Sequence, residues 1–264
     1  MPEHRTLTDQ VGRQLSFRYP PRRIVSLVPS WSETLVELGL QQQLVGITRW
    51  CIHPAEIMAY KTKVGGTKKV NPRTLAELQP DLIIGDKEEQ TKPMIEELQP
   101  KYPIYLTEVE TVEDGINSIR DLGEITGKPE PARQLADRIA AAWQNLPTVR
   151  YRQRVAYLIW KKPWMGVGSG TYIHDVLTRL GFVNVLADRE ARYPQFTLQE
   201  LAECRPERVF FSSEPYPFTC QTMAEVVAML PAAQLSLVDG EMFSWYGSRM
   251  QLASSYFSRL FRTA

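Results

Sequence analysis

The chain has 264 residues, 43% of them hydrophobic and 23% charged, which suits one large α/β domain or two smaller ones. With 31 basic against 30 acidic residues the formal net charge is only +1, so nucleic acid is not an expected partner; phosphate binding needs a basic excess. Three cysteines without a CxxC pair give no disulfide framework, and no apolar run approaches the roughly 18 residues of a spanning helix, so no membrane span is expected.

Met1–Tyr19 is mixed in charge and lacks the apolar core of a secretory signal, so export by that route is not expected of the chain as written. It reads as a polar extension over residues 1–21. Pro20-Pro21 breaks the chain, and Ile24–Val28 is a short apolar run fit for a buried strand. Ser30 or Ser32 is the expected cap of a helix through Leu38, which Gly39 closes. Strand Leu44–Ile47, helix Asn71–Leu78, strand Leu82–Ile84, helix Lys92–Leu98, strand Ile104–Leu106 and helix Val112–Thr126 follow. Such alternation predicts a parallel sheet with helices on both faces.

Pro129 and Pro131 open a helix that runs to about Asn145, with an apolar stripe at Leu135, Ile139, Ala142, Trp143 and Leu146. The pattern then restarts with strand Val155–Trp160, a loop over Lys161–Gly170, helix Tyr172–Leu180 and a segment through Val185 to Tyr193. Helix Thr197–Cys204, strand Val209–Phe211, helix Gln221–Met229, strand Leu235–Val238 and helix Gly247–Phe261 complete it. Thr74-Leu75-Ala76-Glu77-Leu78, a proline and a strand are echoed by Thr197-Leu198-Gln199-Glu200-Leu201, a proline and a strand. The expected organisation is therefore two Rossmann-like lobes, 22–128 and 151–264, joined by one long helix within 129–150. Loops at the carboxyl ends of both sheets would then share a cleft.

Catalytic signatures are missing. No GxxxxGK[ST] or GxSxG is present, and Gly166-Val167-Gly168-Ser169-Gly170 has the wrong spacing for a dinucleotide fingerprint, so it reads as a loop-to-helix turn. Cys51-Ile52-His53 offers two metal donors where zinc takes four, and His174 reads as structural or capping. No metal and no cofactor of the protein's own is expected, and no catalytic residue is assigned.

The loops after strands are instead rich in aromatics beside charges: Trp50, Trp160 with Lys161 and Trp164, Tyr193, and the runs Ser212–Phe218 and Glu241–Arg249. Such faces with a few polar groups line small-molecule pockets. Burying one ring contributes roughly 4–6 kcal/mol gross, so three or four would hold a large flat ligand without covalent chemistry. The expected ligand-binding set is Trp50, His53, Lys87, Trp164 and Tyr193 together with Glu214, Tyr216, Trp245, Tyr246 and Arg249. The rings would enclose the ligand, Lys87 and Arg249 would meet its anionic groups, and Glu214 or Glu241 would orient Arg249. Glu241 and Arg249 could equally form a structural pair.

Arg23-Ile24-Val25-Ser26-Leu27-Val28-Pro29-Ser30-Trp31-Ser32-Glu33, Leu38-Gly39, Val64-Gly65-Gly66 and Pro80-Asp81-Leu82-Ile83-Ile84 resemble the helical-backbone solute-binding proteins of ABC importers for cobalamin, haem and iron–siderophores. The resemblance runs from Arg22 to the C-terminus and is strongest with the cobalamin-binding or metal-receptor branch. It implies the class III periplasmic-binding-protein-like fold, a monomer, a corrinoid or iron chelate as ligand, aromatic contacts at Trp50 and Tyr193, a periplasmic or extracellular location, and an ABC permease as partner. Thr67 and Asp86 stand where further ligand aromatics are expected. Arg73 and Gln199 stand where the family places permease-docking glutamates, with Glu77 and Glu200 as neighbouring substitutes. Two other readings remain: an intracellular carrier or sensor without a transporter, and a chelatase-like enzyme using His53 and Glu214.

Overall fold

The computed structural model describes residues 3–149 and 151–260. They form two compact units: one takes the chain up to Val109, Glu113–Ala141 and Tyr246–Arg249, the other Glu110–Val112, Ala142–Trp245 and the chain from Met250 on.

The first unit begins with a hairpin of β1 (Glu3–Thr8) and β2 (Gln14–Tyr19), paired in antiparallel register from Glu3↔Tyr19 to Thr8↔Gln14. This replaces the polar extension expected from the sequence. Leu15 and Phe17 alternate inward among polar neighbours, a signal too short to stand out, and Phe17 is 1% exposed. The turn is held by side chains. Asp9 accepts from Leu106 N–H and from the Arg13 guanidinium, while Gln10 donates to Asp121 and accepts from Glu108 N–H.

The sheet of this unit takes β3 (Ile24–Ser26), β4 (Leu44–Ile47), β5 (Thr62–Lys63), β6 (Leu82–Asp86) and β7 (Ile104–Thr107) in the order β5-β4-β3-β6-β7, all parallel. Between them lie α1 (Pro29–Glu37), the single-turn α2 (Ala55–Met58), α3 (Pro72–Leu78) and α4 (Lys92–Leu98), and after β7 come α5 (Val112–Thr126) and α6 (Pro129–Gln144). Val25, Leu27, Ile83, Ile104 and Leu106 share one sheet face and pack on Leu75, Met94, Ile95 and Leu98. The N-cap of α1 is Val28, with Pro29 opening the helix, so neither Ser30 nor Ser32 caps it. Both serines are buried inside the helix. By contrast Asn71 caps α3 by accepting from Arg73 and Thr74 N–H. Asn71→Ala is expected to cost about 1 kcal/mol in a urea melt without altering the fold.

The chain leaves the first unit within α6, whose last turn from Ala142 belongs to the second. There β8 (Arg154–Trp160), β9 (Trp164–Gly166), β10 (Val183–Asn184), β11 (Gln195–Phe196), β12 (Arg208–Ser212) and β13 (Gln234–Val238) form the order β11-β9-β8-β12-β13, with β10 beside β8. β8, β10, β12 and β13 are mutually parallel where they pair, but β9 pairs antiparallel with both β8 and β11. Lys161–Pro163 is too short for a crossover, so the segment expected as loop returns as a hairpin. The helices are α7 (Tyr172–Arg179), α8 (Leu198–Glu203), α9 (Cys220–Met229), α10 (Gly240–Ser244) and α11 (Met250–Leu260). The final helix was expected from Gly247 to Phe261. Gly247–Arg249 forms a separate tight turn, and Phe261 lies outside the described residues.

Ala156, Leu158, Val209 and Phe211 pack with Leu201, Phe218 and Val226 on one face of the second sheet. The other face is built from rings: Phe243 lies 5.1 Å from Tyr157 and 4.9 Å from Phe257, and Phe210 lies 5.4 Å from Phe182. Trp143, from the apolar stripe of α6, joins them through Phe257 and donates to the Met250 carbonyl at 2.9 Å.

The sequence echo between the halves has a structural counterpart. Gln79 and Arg205 both adopt a left-handed conformation before a proline. Two residues on, Asp81 accepts from Arg22 and Arg23 N–H, and Glu207 accepts from Arg154 N–H. In each unit a carboxylate thus pins the start of the strand beside it.

Candidate functional site

In the first unit the loop after β4 is a turn with its ends inside and its middle outside. Thr48 and Cys51 are buried, and the Cys51 thiol lies 3.1 Å from Ser32 Oγ and 3.3 Å from Thr48 Oγ1. Burial pushes that thiol pKa up, so it stays protonated and serves as a packed anchor. Between the anchors Arg49 and Trp50 project outward. The Trp50 indole is 57% exposed, with the Arg49 guanidinium 5.5 Å from its centroid. Gly66 lies beneath both: a Cβ there would sit 3.5 Å from Arg49 Nη2 and from Trp50 Nε1. His53 follows, half-buried.

Lys87, at the end of β6, is exposed and pairs with Glu108. Tyr246 and Arg249 do not line an open surface in the first unit. Tyr246 is 8% exposed, with its ring 4.7 Å from that of Trp31, and its hydroxyl bonds the Asp86 carboxyl. Arg249 is held in a two-pronged pair with Glu33 at 2.7 and 2.8 Å. The sequence offered Glu241 as its counterpart; the partner is Glu33, 216 residues earlier in the chain. Ser248 N–H donates to Thr34 Oγ1 at 2.9 Å. Gly247, with φ +84, fits because a Cβ would come within 2.3 Å of Thr34 Oγ1 and 3.0 Å of Trp31. Tyr246–Arg249 is therefore a four-residue plug in the first unit.

Beneath the plug, Asp86 is 1% exposed and accepts from Thr107 Oγ1 at 2.7 Å and Glu88 N–H at 2.9 Å. Trp31 Nε1 donates to the same Thr107 hydroxyl. Burial pushes the Asp86 carboxyl up to about 6, more than these hydrogen bonds pull it down, and Glu89 and Glu88 add to the rise.

In the second unit the aromatics gather at the carboxyl ends of β8 and β12. Trp164 is stacked with Phe218 at 6.3 Å, Tyr216 lies 4.8 Å from Phe218, and Trp160 caps Tyr216 at 5.4 Å while 41% exposed. Lys161 reaches over the Trp164 ring at 5.4 Å and pairs with Glu225 at 2.6 Å. Glu214, half-buried, accepts from Trp245 Nε1 at 3.0 Å and Ser244 Oγ at 3.2 Å. Burial raises its pKa, and the nearby Glu241 and Asp239 raise it further. Tyr193 sits between Arg192 and Pro194, whose carbonyls accept from Gly168 and Gly166 N–H.

The structure thus brings Trp164 and Tyr216 together, and Glu214 with Trp245. It places Trp50 and His53 on another loop, and it buries Tyr246 and Arg249. Sequence reasoning passed over Arg49 and Glu33, and it noted Phe218 in the aromatic run Ser212–Phe218 without placing it in the ligand-binding set. Arg49 was legible as a cation beside an aromatic after a strand, the same criterion that selected Trp50. Among the described residues, no three His, Cys, Asp or Glu side chains converge as metal ligands. His174 N–H is received by Thr171, the N-cap of α7, and its ring meets Asn184.

A family model for periplasmic binding proteins matches residues 24–234. The chain belongs to that family. Vitamin B12-binding proteins are among its relatives: that of Vibrio cholerae is 26% identical over 199 residues, 74% of this chain and 71% of the relative. That of Pectobacterium carotovorum is 23% identical, over 89% of this chain and 86% of the relative. Among solved structures, the periplasmic vitamin B12 binding protein of Vibrio cholerae superposes with a TM-score of 0.75 and 21% identity over 92% of this chain and 98% of the other. The periplasmic heme-binding protein of Roseiflexus gives 0.80 and 19% over the same shares. These likenesses establish the two-lobed α/β fold of periplasmic binding proteins. The family's members are binding proteins. No helix among the described residues is long and apolar enough to cross a membrane.

Proposed function

We propose that the protein is a solute-binding receptor for a bulky, ring-shaped ligand of the corrinoid or iron-chelate class, working without chemistry of its own in the periplasm. The observation that carries this reading is Trp50. A folded chain that buries Trp31 and Trp143 almost completely leaves this indole 57% exposed, on a turn anchored at both ends. Such a ring is a large apolar area awaiting a partner. The B12- and heme-binding relatives point to what that partner is.

Titration of the protein with cyanocobalamin, iron protoporphyrin IX and a ferric siderophore, read by tryptophan fluorescence, tests the proposal. At least one should quench saturably with a micromolar or tighter Kd, and at a hundredfold excess over Kd add about 2.7 kcal/mol of stability. Trp50→Ala should weaken that ligand by about tenfold or more while leaving the unliganded melt unchanged. If none of the three binds, the receptor reading falls.

An ABC permease is the partner this reading implies. At the two positions of the family's docking glutamates, Arg73 is exposed and pairs with Glu77 at 3.1 Å, and Gln199 is exposed on α8. Glu200 is committed to the capping box of α8, accepting from Thr197 N–H at 2.7 Å. This surface favours a second reading, a carrier or sensor that keeps the receptor fold without that mode of docking. Binding to permease-containing vesicles separates the two.

A further inference from the structure

Each unit places a cation on an indole just past a sheet strand, and the two differ in one respect. In the second, Lys161 over Trp164 is neutralised by Glu225 at 2.6 Å. In the first, the Arg49 guanidinium over Trp50 has no carboxylate partner among the described residues. The neighbouring lysines add to the positive charge there. Lys61 and Lys63 donate to the Gln41 and Met58 carbonyls, which leaves their charges in place. Arg49 is also fixed: its backbone N–H donates to the Gly65 carbonyl at 2.8 Å, and its two flanking anchors, Thr48 and Cys51, are buried. A guanidinium that covers an exposed ring, has no counter-charge and stands at the carboxyl end of a parallel sheet lies where open α/β folds take ligands. Ile52, 50% exposed beside it, extends the apolar surface.

We propose that Arg49 and Trp50 form a recognition platform for a flat, apolar macrocycle carrying carboxylates, the ring lying against the indole and a carboxylate on the guanidinium. The inference rests on the receptor reading and narrows it. A carboxylate-bearing porphyrin satisfies both groups, whereas a corrinoid whose side chains are neutral amides leaves Arg49 unpaired. Arginine suits the task because its planar fork meets a carboxylate with two parallel hydrogen bonds and stacks on an aromatic face at the same time.

The test compares iron protoporphyrin IX with its dimethyl ester, which has the same ring and metal but no carboxylates, alongside cyanocobalamin. The free acid should bind about ten- to a hundredfold more tightly than the ester, and raising the salt concentration should narrow the gap. Arg49→Met should abolish that preference, Arg49→Lys should keep part of it, and Lys161→Met should leave it intact. Equal binding of acid and ester, or a preference that survives Arg49→Met, would overturn the proposal. Binding of cyanocobalamin but not of protoporphyrin would overturn it too while leaving the receptor reading standing. Failure of all three compounds would remove both. Arg49 is exposed and makes no side-chain hydrogen bond among the described residues, so the variants should melt like the parent, and any loss reports on the ligand.

Discussion

Arg249→Met is expected to destabilise the protein by about 2–4 kcal/mol, because it strips the partner from a largely buried carboxylate. Arg249 and Glu33 retain 7% and 16% side-chain exposure and meet through two parallel hydrogen bonds. Neither charge has much water to fall back on once the other is gone. The pair also does positional work. Arg249 ends the Tyr246–Arg249 plug, and Glu33 lies on α1, next to the Thr34 hydroxyl that receives Ser248 N–H. Losing the guanidinium therefore loosens the plug as well as exposing a charge. Replacing both partners, Glu33→Leu with Arg249→Met, should recover much of the loss, since an apolar pair of similar volume has no desolvation penalty. Urea melts of the two single variants and the double variant give the coupling directly. The sequence reading of Arg249 as a ligand contact predicts the opposite pattern: an unchanged melt and a weakened ligand. A stable Arg249→Met protein would restore that reading.

The Arg249 case shows which parts of the molecule were legible in the sequence. Elements with a local signal were placed to within a residue or two. Leu44–Ile47 reads as a strand from its apolar run, Lys92–Leu98 as a helix with proline in its first turn, and Val112–Thr126 as an amphipathic helix, and each is found at those bounds. Elements that depend on distant partners were not. The N-terminal hairpin needs Asp9 and Gln10 to reach β7 and α5, about a hundred residues away, and nothing local reports that. The strand Trp164–Gly166 was hidden because Lys161-Lys162-Pro163 looks like an irregular loop, and only its pairing with β8 makes it a hairpin.

The candidate site divides on the same line. An aromatic after a strand is visible in the sequence, but whether its ring faces solvent or the interior depends on what the rest of the chain brings against it. Trp50 stays out, whereas Tyr246 is covered by Trp31. Charges behave likewise. Arg49, Lys161 and Arg249 look equivalent in sequence, but Glu225 and Glu33 neutralise the last two. Which cation finds a carboxylate partner is a tertiary fact.

Asp86 is expected to make the stability of the protein fall as pH rises through about 6, contrary to the usual carboxylate. Its carboxyl pKa is raised from 3.8 to about 6 by burial. Between those values the folded chain holds a proton that the unfolded chain has released. The group's contribution is thus fully present below the unfolded value and is lost as pH climbs through the folded one. The difference corresponds to about 2 kcal/mol between pH 4 and pH 7.5. Asp86→Asn removes the titration: its one amide oxygen can accept from Glu88 N–H in place of Oδ1, while the amide NH2 in place of Oδ2 can donate to Thr107 Oγ1, whose own proton then goes to the Gly85 carbonyl. At pH 4 the variant should match the parent or be slightly weaker, because one amide oxygen and an NH2 stand where the carboxyl group has two oxygens. By pH 7.5 it should have gained on the parent by most of that ~2 kcal/mol. The Tyr246 hydroxyl bonds the same carboxyl, and its own pKa is driven up by burial and by Asp86, so it remains a donor throughout this range. Deprotonation of Asp86 therefore turns a neutral contact into a charged one directly under the plug. Urea melts of both proteins at pH 4, 5, 6 and 7.5 decide the matter. Parallel curves across the series would mean that Asp86 is ionised in the fold and that its hydrogen bonds outweigh its burial.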